Sequence, residues 1–159
     1  MRIGYVVGQF PSVSETFIRR EIDAVKQHGF DVDVFPVHPD RGVPVRERTA
    51  TEGGTLIHCP PLLLARDGWT DVARRLAASP RRTGRTIVAA VRRHGKGVYA
   101  CARTIRDLKI AAVLARQAAQ RGIEHLHAHF AFMPADIACL MATLLNCSWS
   151  ISVHARDIY

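Results

Sequence analysis

Hydrophobic and polar positions along the chain follow two periods in turn. RIGYVVG (2–8) is a compact β-branched and aromatic run, and FDVDVFPV (30–37) alternates strictly, so both predict strands. Between them Phe17, Ile18, Ile22 and Val25 recur at helical spacing. Ser14 is placed to cap that helix, Glu15 adds a favourable charge to its first turn, and Gly29 ends it. Strand, helix and strand with a short return favour a parallel sheet with a right-handed crossover.

Residues 38–54 are rich in Pro, Gly and charge and read as a loop, with TLIH (55–58) as a short third strand. Helices are predicted over 71–78, 83–93 and 101–121, with Ser79 and Pro80 breaking the first and Gly122 closing the last. The last carries Ile105, Leu108, Ala112, Ala115 and Ala119 on one stripe. IEHLHAHF (123–130) alternates as a strand, PADIACLMATLLN (134–146) opens as a helix on Pro134 and stops at Asn146, and SWSISV (148–153) is the next strand. The fold class is therefore α/β, a Rossmann-like open parallel sheet whose ligands belong at the carboxyl ends of the strands. That rule selects the loops 8–16, 129–136 and 154–159.

Composition changes this picture in one place. The net charge is +8, yet residues 72–106 contain no Asp or Glu and ten Lys or Arg, so the whole excess lies in that segment. Its two helical stretches interleave Arg74, Arg75, Arg81, Arg82, Arg85, Arg92 and Arg93 with apolar residues, as a helix lying on anionic lipid does. A solvated surface face is the plain alternative. A nucleic-acid face lacks support, because these stretches carry no aromatic for base stacking and no helix-turn-helix or RNA-binding motif. No run of 18 apolar residues and no leader pattern appear, which reads as a cytoplasmic chain with no spanning segment; contact of the basic helices with lipid would make it peripheral on the inner face of the membrane. Cys59, Cys101, Cys139 and Cys147 lack CxxC spacing and sit in apolar surroundings, the pattern of reduced, buried thiols.

Candidate chemistry gathers at the selected loops. Gly8 lets backbone approach a ligand, while Ser14, Glu15 and Thr16 sit at a helix N-terminus whose free N–H groups favour an anion or hydroxyl; an ordinary capped helix has the same residues. Neither GxGxxG nor GxxxxGK[ST] is present, so a dinucleotide or P-loop reading fails. His125, His127 and His129 share one face of their strand. Such a pair can bind metal only with a third ligand, and no acidic or Cys partner is suitably placed in sequence, so the expected metal is none. His125 and His127 then read as structural. His129 and His154, at the ends of successive strands, face the crevice, where they can hydrogen-bond a sugar hydroxyl or phosphate or act as acid or base.

FPSVSETFIRREI (10–22), HLHAHFAFMPADIACLMATLL (125–145) and SWSISVHARDIY (148–159) together resemble three consecutive motifs of glycosyltransferase family 4, in the branch of colanic-acid and exopolysaccharide enzymes. The resemblance covers Tyr5 to Tyr159 in order. It implies the N-terminal, acceptor-binding half of a GT-B fold, incomplete at 1–159 and including the basic segment 72–106, with the C-terminal donor-binding domain absent. It implies a retaining hexosyltransferase of bacterial exopolysaccharide or lipid-linked glycan synthesis, with a UDP- or GDP-hexose as co-substrate, no metal and no other cofactor, and little or no transfer by this chain alone. By the same resemblance His154 is the catalytic contact near the transferred sugar and His129 lies on the acceptor side. Gly8, Ser14, Glu15 and Thr16 wall the cleft, and Arg156 and Asp157 orient the His154 loop. The implied partners are a glycan or lipid-linked acceptor, an anionic membrane surface and a separate donor-binding domain. Many relatives carry a Gly-Gly pair near the first strand where this chain has only Gly8. The alternative class is a non-catalytic module that binds membrane or a partner through 72–106.

Overall fold

The computed structural model describes residues 1–10, 16–38, 49–52, 55–58, 67–94 and 97–154. The chain runs β1 (Arg2–Val7), α1 (Thr16–Gln27), β2 (Asp31–Pro36), β3 (Thr49–Glu52), β4 (Thr55–His58), α2 (Asp67–Ala78), α3 (Pro80–His94), α4 (Val98–Gln120), β5 (His125–His129), α5 (Met133–Leu145) and β6 (Ser148–Ser152). The sheet order is β3-β4-β2-β1-β5-β6. Five strands are parallel, and β3 alone runs antiparallel, against β4. This is the Rossmann-like α/β sheet expected from the sequence. The chain winds outward from β1 through β2 to β4, then returns to β5 on the other side of β1. Strand order therefore reverses between β1 and β5, and the carboxyl ends of these strands are where sheets of this kind bind ligands.

Three of the turns from helix to strand use one device. Gly29 (φ +84°), Gly122 (φ +67°) and Asn146 (φ +62°) each follow a helix in the left-handed region. The next residue returns its N–H to a carbonyl in the last helical turn: Phe30 to Val25 at 3.4 Å, Ile123 to Ala118 at 3.0 Å and Cys147 to Ala142 at 3.2 Å. Glycine reaches that region without a Cβ penalty and asparagine tolerates it, so the sequence stops each helix and aims the chain straight into β2, β5 or β6.

The sheet buries both faces. On one side Tyr5, Val7, Val32, Val34 and Ile57 pack with Ile18 and Ile22 of α1. On the other, Val6, Phe35, Leu126 and Ala128 pack beneath Leu114 of α4 and Ile137 and Met141 of α5, and α2 and α3 pack on those two helices. Burying five large residues beside α1 at about 1.5–3 kcal/mol each makes this packing, more than helix propensity, the reason α1 is fixed in place.

The structure corrects four expectations. Residues 49–52 form β3 and not a loop, and α2 and α3 begin earlier than predicted, at Asp67 and Pro80. The buried side of α4 does not include Ile105, which is half exposed, or Ala119. It runs through Thr104, Asp107, Leu108 and Ala111 to Ala115, because α2, α3, α5 and the sheet surround the middle of this helix. Cys101 is exposed and Cys139 and Cys147 are partly buried, since Cys101 lies one residue off the buried stripe of α4; Cys59 is outside the described residues.

Candidate functional site

Alternation along β5 sends Leu126 and Ala128 into the α4/α5 core and turns His125, His127 and His129 to the α1 side. The parallel register with β6 sets His125 against Ser148, His127 against Ser150 and His129 against Ser152. A ladder of side-chain bonds results. His125 contacts Ser148 Oγ and Ser150 Oγ, both at 2.8 Å, and His127 contacts Ser150 Oγ at 2.7 Å and Ser152 Oγ at 3.1 Å. At the carboxyl end the partner is no longer a serine: His129 Nδ1 lies 3.2 Å from His154 Nε2, with the two rings stacked at 5.4 Å between centroids.

Glu21 reaches this row from α1. Its Oε1 accepts a hydrogen bond from Tyr5 Oη at 3.0 Å and stands 3.4 Å from His129 Nε2 and 3.7 Å from His127 Nε2. The approach to His129 lacks hydrogen-bond geometry, and His129 Nε2 is buried without a hydrogen-bond partner among the described residues. His129 itself is 0% exposed. Such an atom costs about 1–3 kcal/mol to bury, which the fold must recover elsewhere.

Electrostatics keep His127 and His129 neutral. Burial pushes the His129 imidazolium down to about 4, against the pull of Glu21 and with help from the neighbouring His127 and His154. Desolvation likewise lowers His127, opposed by Glu21. Burial and then the Glu21 charge hold the Tyr5 phenol protonated. At neutral pH His127 and His129 therefore offer lone pairs beside a carboxylate.

Aromatic rings close the end of the site. His154 touches Phe17 at 4.9 Å and Phe130 at 4.8 Å between centroids, while Tyr5 stacks on His129 at 5.8 Å. Phe130 has φ +72°, a strained conformation for a bulky residue, and its N–H is tied to Ser152 O at 3.0 Å. Because Phe17 lies in the first turn of α1, the positive end of that helix is presented at the same place.

Of the residues selected from sequence, His129 and His154 come together here. Gly8 follows β1, level with Phe130 if the β1/β5 register is continued, and a Cβ on it would meet nothing within 4 Å. Thr16 opens α1 and is exposed. Ser14, Glu15, Arg156 and Asp157 lie outside the described residues. The basic set is elsewhere: Arg74, Arg81, Arg85 and Arg92 are exposed on α2 and α3, behind α4 and α5 and across the sheet from α1. Arg75, Arg82 and Arg93 belong to the same helices, their side chains outside the description.

Glu21, Tyr5 and Phe17 were not among the residues selected from the sequence. Glu21 is the acidic partner that sequence order failed to supply for the HxH pair. Its position three residues after Ile18 and four after Phe17, at the margin of the buried stripe of α1, was the available signal. Compared with known proteins, the chain matches no family model and no curated protein.

Proposed function

We propose that the chain forms the acceptor side of a retaining hexosyltransferase of GT-B type, which draws on a UDP- or GDP-hexose donor in bacterial exopolysaccharide or lipid-linked glycan synthesis. The observation that carries this reading is the stacked His129–His154 pair, 3.2 Å apart at the carboxyl end of β5 and beyond β6, beside the point where strand order reverses. A sugar needs directional hydrogen-bond partners against an apolar wall, and Phe17, Phe130 and the two imidazoles combine both. In this reading His154 stands where the transferred hexose meets the acceptor and bonds a hydroxyl of each, His129 holds it from behind on the acceptor side, and the N-terminus of α1 favours donor phosphate. Gly8 and Thr16 belong to the cleft wall, as do Ser14, Glu15, Arg156 and Asp157 by sequence position.

The second reading, a non-catalytic module for membrane or a partner, draws on a different observation. Arg81, Arg85, Val88 and Arg92 recur on one exposed face of α3. That face suits an anionic membrane surface and serves a peripheral transferase equally well, and Arg74, Arg75, Arg82 and Arg93 add charge to the same two helices by sequence. No helix among the described residues is long and apolar enough to cross a membrane.

Labelled UDP- and GDP-hexoses, offered with a bacterial glycolipid extract, test the first reading. The chain is expected to retain glycolipid without moving label onto it, and His154→Ala to lose at least about tenfold in glycolipid affinity, roughly the 1.4 kcal/mol of one good hydrogen bond. Label transfer by the chain alone would contradict the acceptor-side assignment. Retention abolished by charge reversal of Arg81, Arg85 and Arg92 but untouched by His154→Ala would favour the module.

A further inference from the structure

Two imidazole nitrogens converge on one carboxylate, and one of the nitrogens is buried without a hydrogen-bond partner among the described residues. We infer that Glu21, His127 and His129 form a binding site for a borderline divalent transition metal of the Zn2+ type, through Glu21 Oε1 and the Nε2 atoms of the two histidines.

The distances of the two imidazoles from Glu21 suit that chemistry. Zinc holds nitrogen and oxygen ligands at about 2.0–2.2 Å, which at tetrahedral angles places the donor atoms about 3.3–3.5 Å from one another. Glu21 Oε1 stands 3.4 Å from His129 Nε2 and 3.7 Å from His127 Nε2, and one ligand atom from each of the three residues lies within 4.8 Å of the others. Two neutral imidazoles and a carboxylate suit Zn2+, Co2+ or Fe2+ and leave at least one coordination position for water.

The outer contacts are also those a metal site uses. A ligating histidine binds through one nitrogen while the other is held by a polar partner, and ligating carboxylates are themselves hydrogen-bonded. Here His127 Nδ1 is held by Ser150 Oγ at 2.7 Å, His129 Nδ1 by His154 Nε2 at 3.2 Å, and Glu21 by the Tyr5 hydroxyl at 3.0 Å. A metal would displace the contact of His127 Nε2 with Ser152 Oγ at 3.1 Å, and that hydroxyl would then face the metal's water.

Binding would also fix a proton. With Nε2 of His129 on the metal, its remaining N–H is on Nδ1 and donates to Nε2 of His154. His154 is thereby set with its own N–H on Nδ1, so one ion holds two rings in a single orientation. The role is structural: it positions His154 and takes no part in group transfer.

The test uses the whole chain, stripped with a chelator and titrated separately with Zn2+ by calorimetry and Co2+ by visible absorption. One equivalent of metal per chain is expected, with the intense visible bands of low-coordinate cobalt. Glu21→Gln keeps an acceptor for Tyr5 but lacks the charge, and it should weaken binding at least about 100-fold, the upper end of what losing an outer-shell partner alone does. His129→Gln should do the same. His28→Gln, at an exposed position on the far end of α1, should leave binding unchanged. Far-ultraviolet circular dichroism checks each fold, and should His129→Gln fail to fold, the part-exposed Glu21 position decides alone. No saturable binding, wild-type binding in Glu21→Gln, or binding lost instead in His58→Gln would each overturn the site.

Discussion

The sheet carries a carboxylate–histidine cluster on each face, and the two are built to opposite ends. On the α4 side Asp33 Oδ2 accepts from His58 Nε2 at 3.2 Å and from Arg121 Nε at 2.9 Å, while His58 stacks flat on Phe35 at 4.6 Å. One permanent cation answers one anion, and Arg121 arrives as the C-cap of α4, so this cluster pins a helix end to the sheet. On the α1 side Glu21 meets two neutral imidazoles and a phenol. The first cluster pairs its anion with a fixed cation, although His58 Nδ1 is buried without a hydrogen-bond partner among the described residues. The second holds an excess of lone pairs at a strand end, beside a strained Phe130, which is how a site differs from a staple.

The sharpest break between them should be in stability. Asp33→Ala removes the common acceptor and leaves His58 buried beside Arg121, and should cost about 2–4 kcal/mol in urea unfolding. Glu21→Gln, part-exposed and retaining an acceptor for Tyr5, should cost less than about 1 kcal/mol in metal-free protein. Equal costs would erase the distinction. Next in size, Ser150→Ala removes a hydroxyl shared by His125 and His127 and should cost about 1–2 kcal/mol by the same measurement.

Acid sharpens the comparison further. Burial pushes the Asp33 carboxyl upward, but the bonds from His58 and Arg121 and their charges outweigh it and hold the group below its ordinary value. A lowered carboxylate stabilises above the unfolded value, near pH 4, and that stability is lost as pH falls through the folded value. Arg121→Gln should therefore reduce stability at neutral pH and flatten the acid limb of the stability curve below about pH 4. An unchanged acid limb would show that Arg121 does not set the Asp33 carboxyl. The smallest effect is expected for His154→Ala, under about 0.5–1 kcal/mol in unfolding, since the ring is only partly buried at the sheet's end.

The fold was largely legible because period and punctuation agree: alternation marks β2 and β5, helical spacing marks α1, and Gly29, Gly122 and Asn146 mark the helix ends. β3 was hidden by composition. TATE reads as polar loop, and the Gly53-Gly54 pair before TLIH, a favoured two-residue hairpin dipeptide, was the signal overlooked. The middle of α4 misled because a helix enclosed on several sides has no single stripe. At the site, His129 and His154 were legible because each stands where a strand ends. Glu21 and Tyr5 were not, since their meeting with His129 depends on how α1 crosses the sheet, which no local period encodes.

The central claim is that the α1-side cluster meets ligand while the Asp33 cluster only holds the fold. A long-range proton–nitrogen NMR spectrum of the imidazoles, recorded while bacterial glycolipid headgroup oligosaccharides are titrated in, tests it directly. The account predicts that the His129 and His154 ring nitrogens shift together and saturably while those of His58 stay in place. Saturable glycan binding that moves His58, or that leaves His129 and His154 where they were, would contradict it.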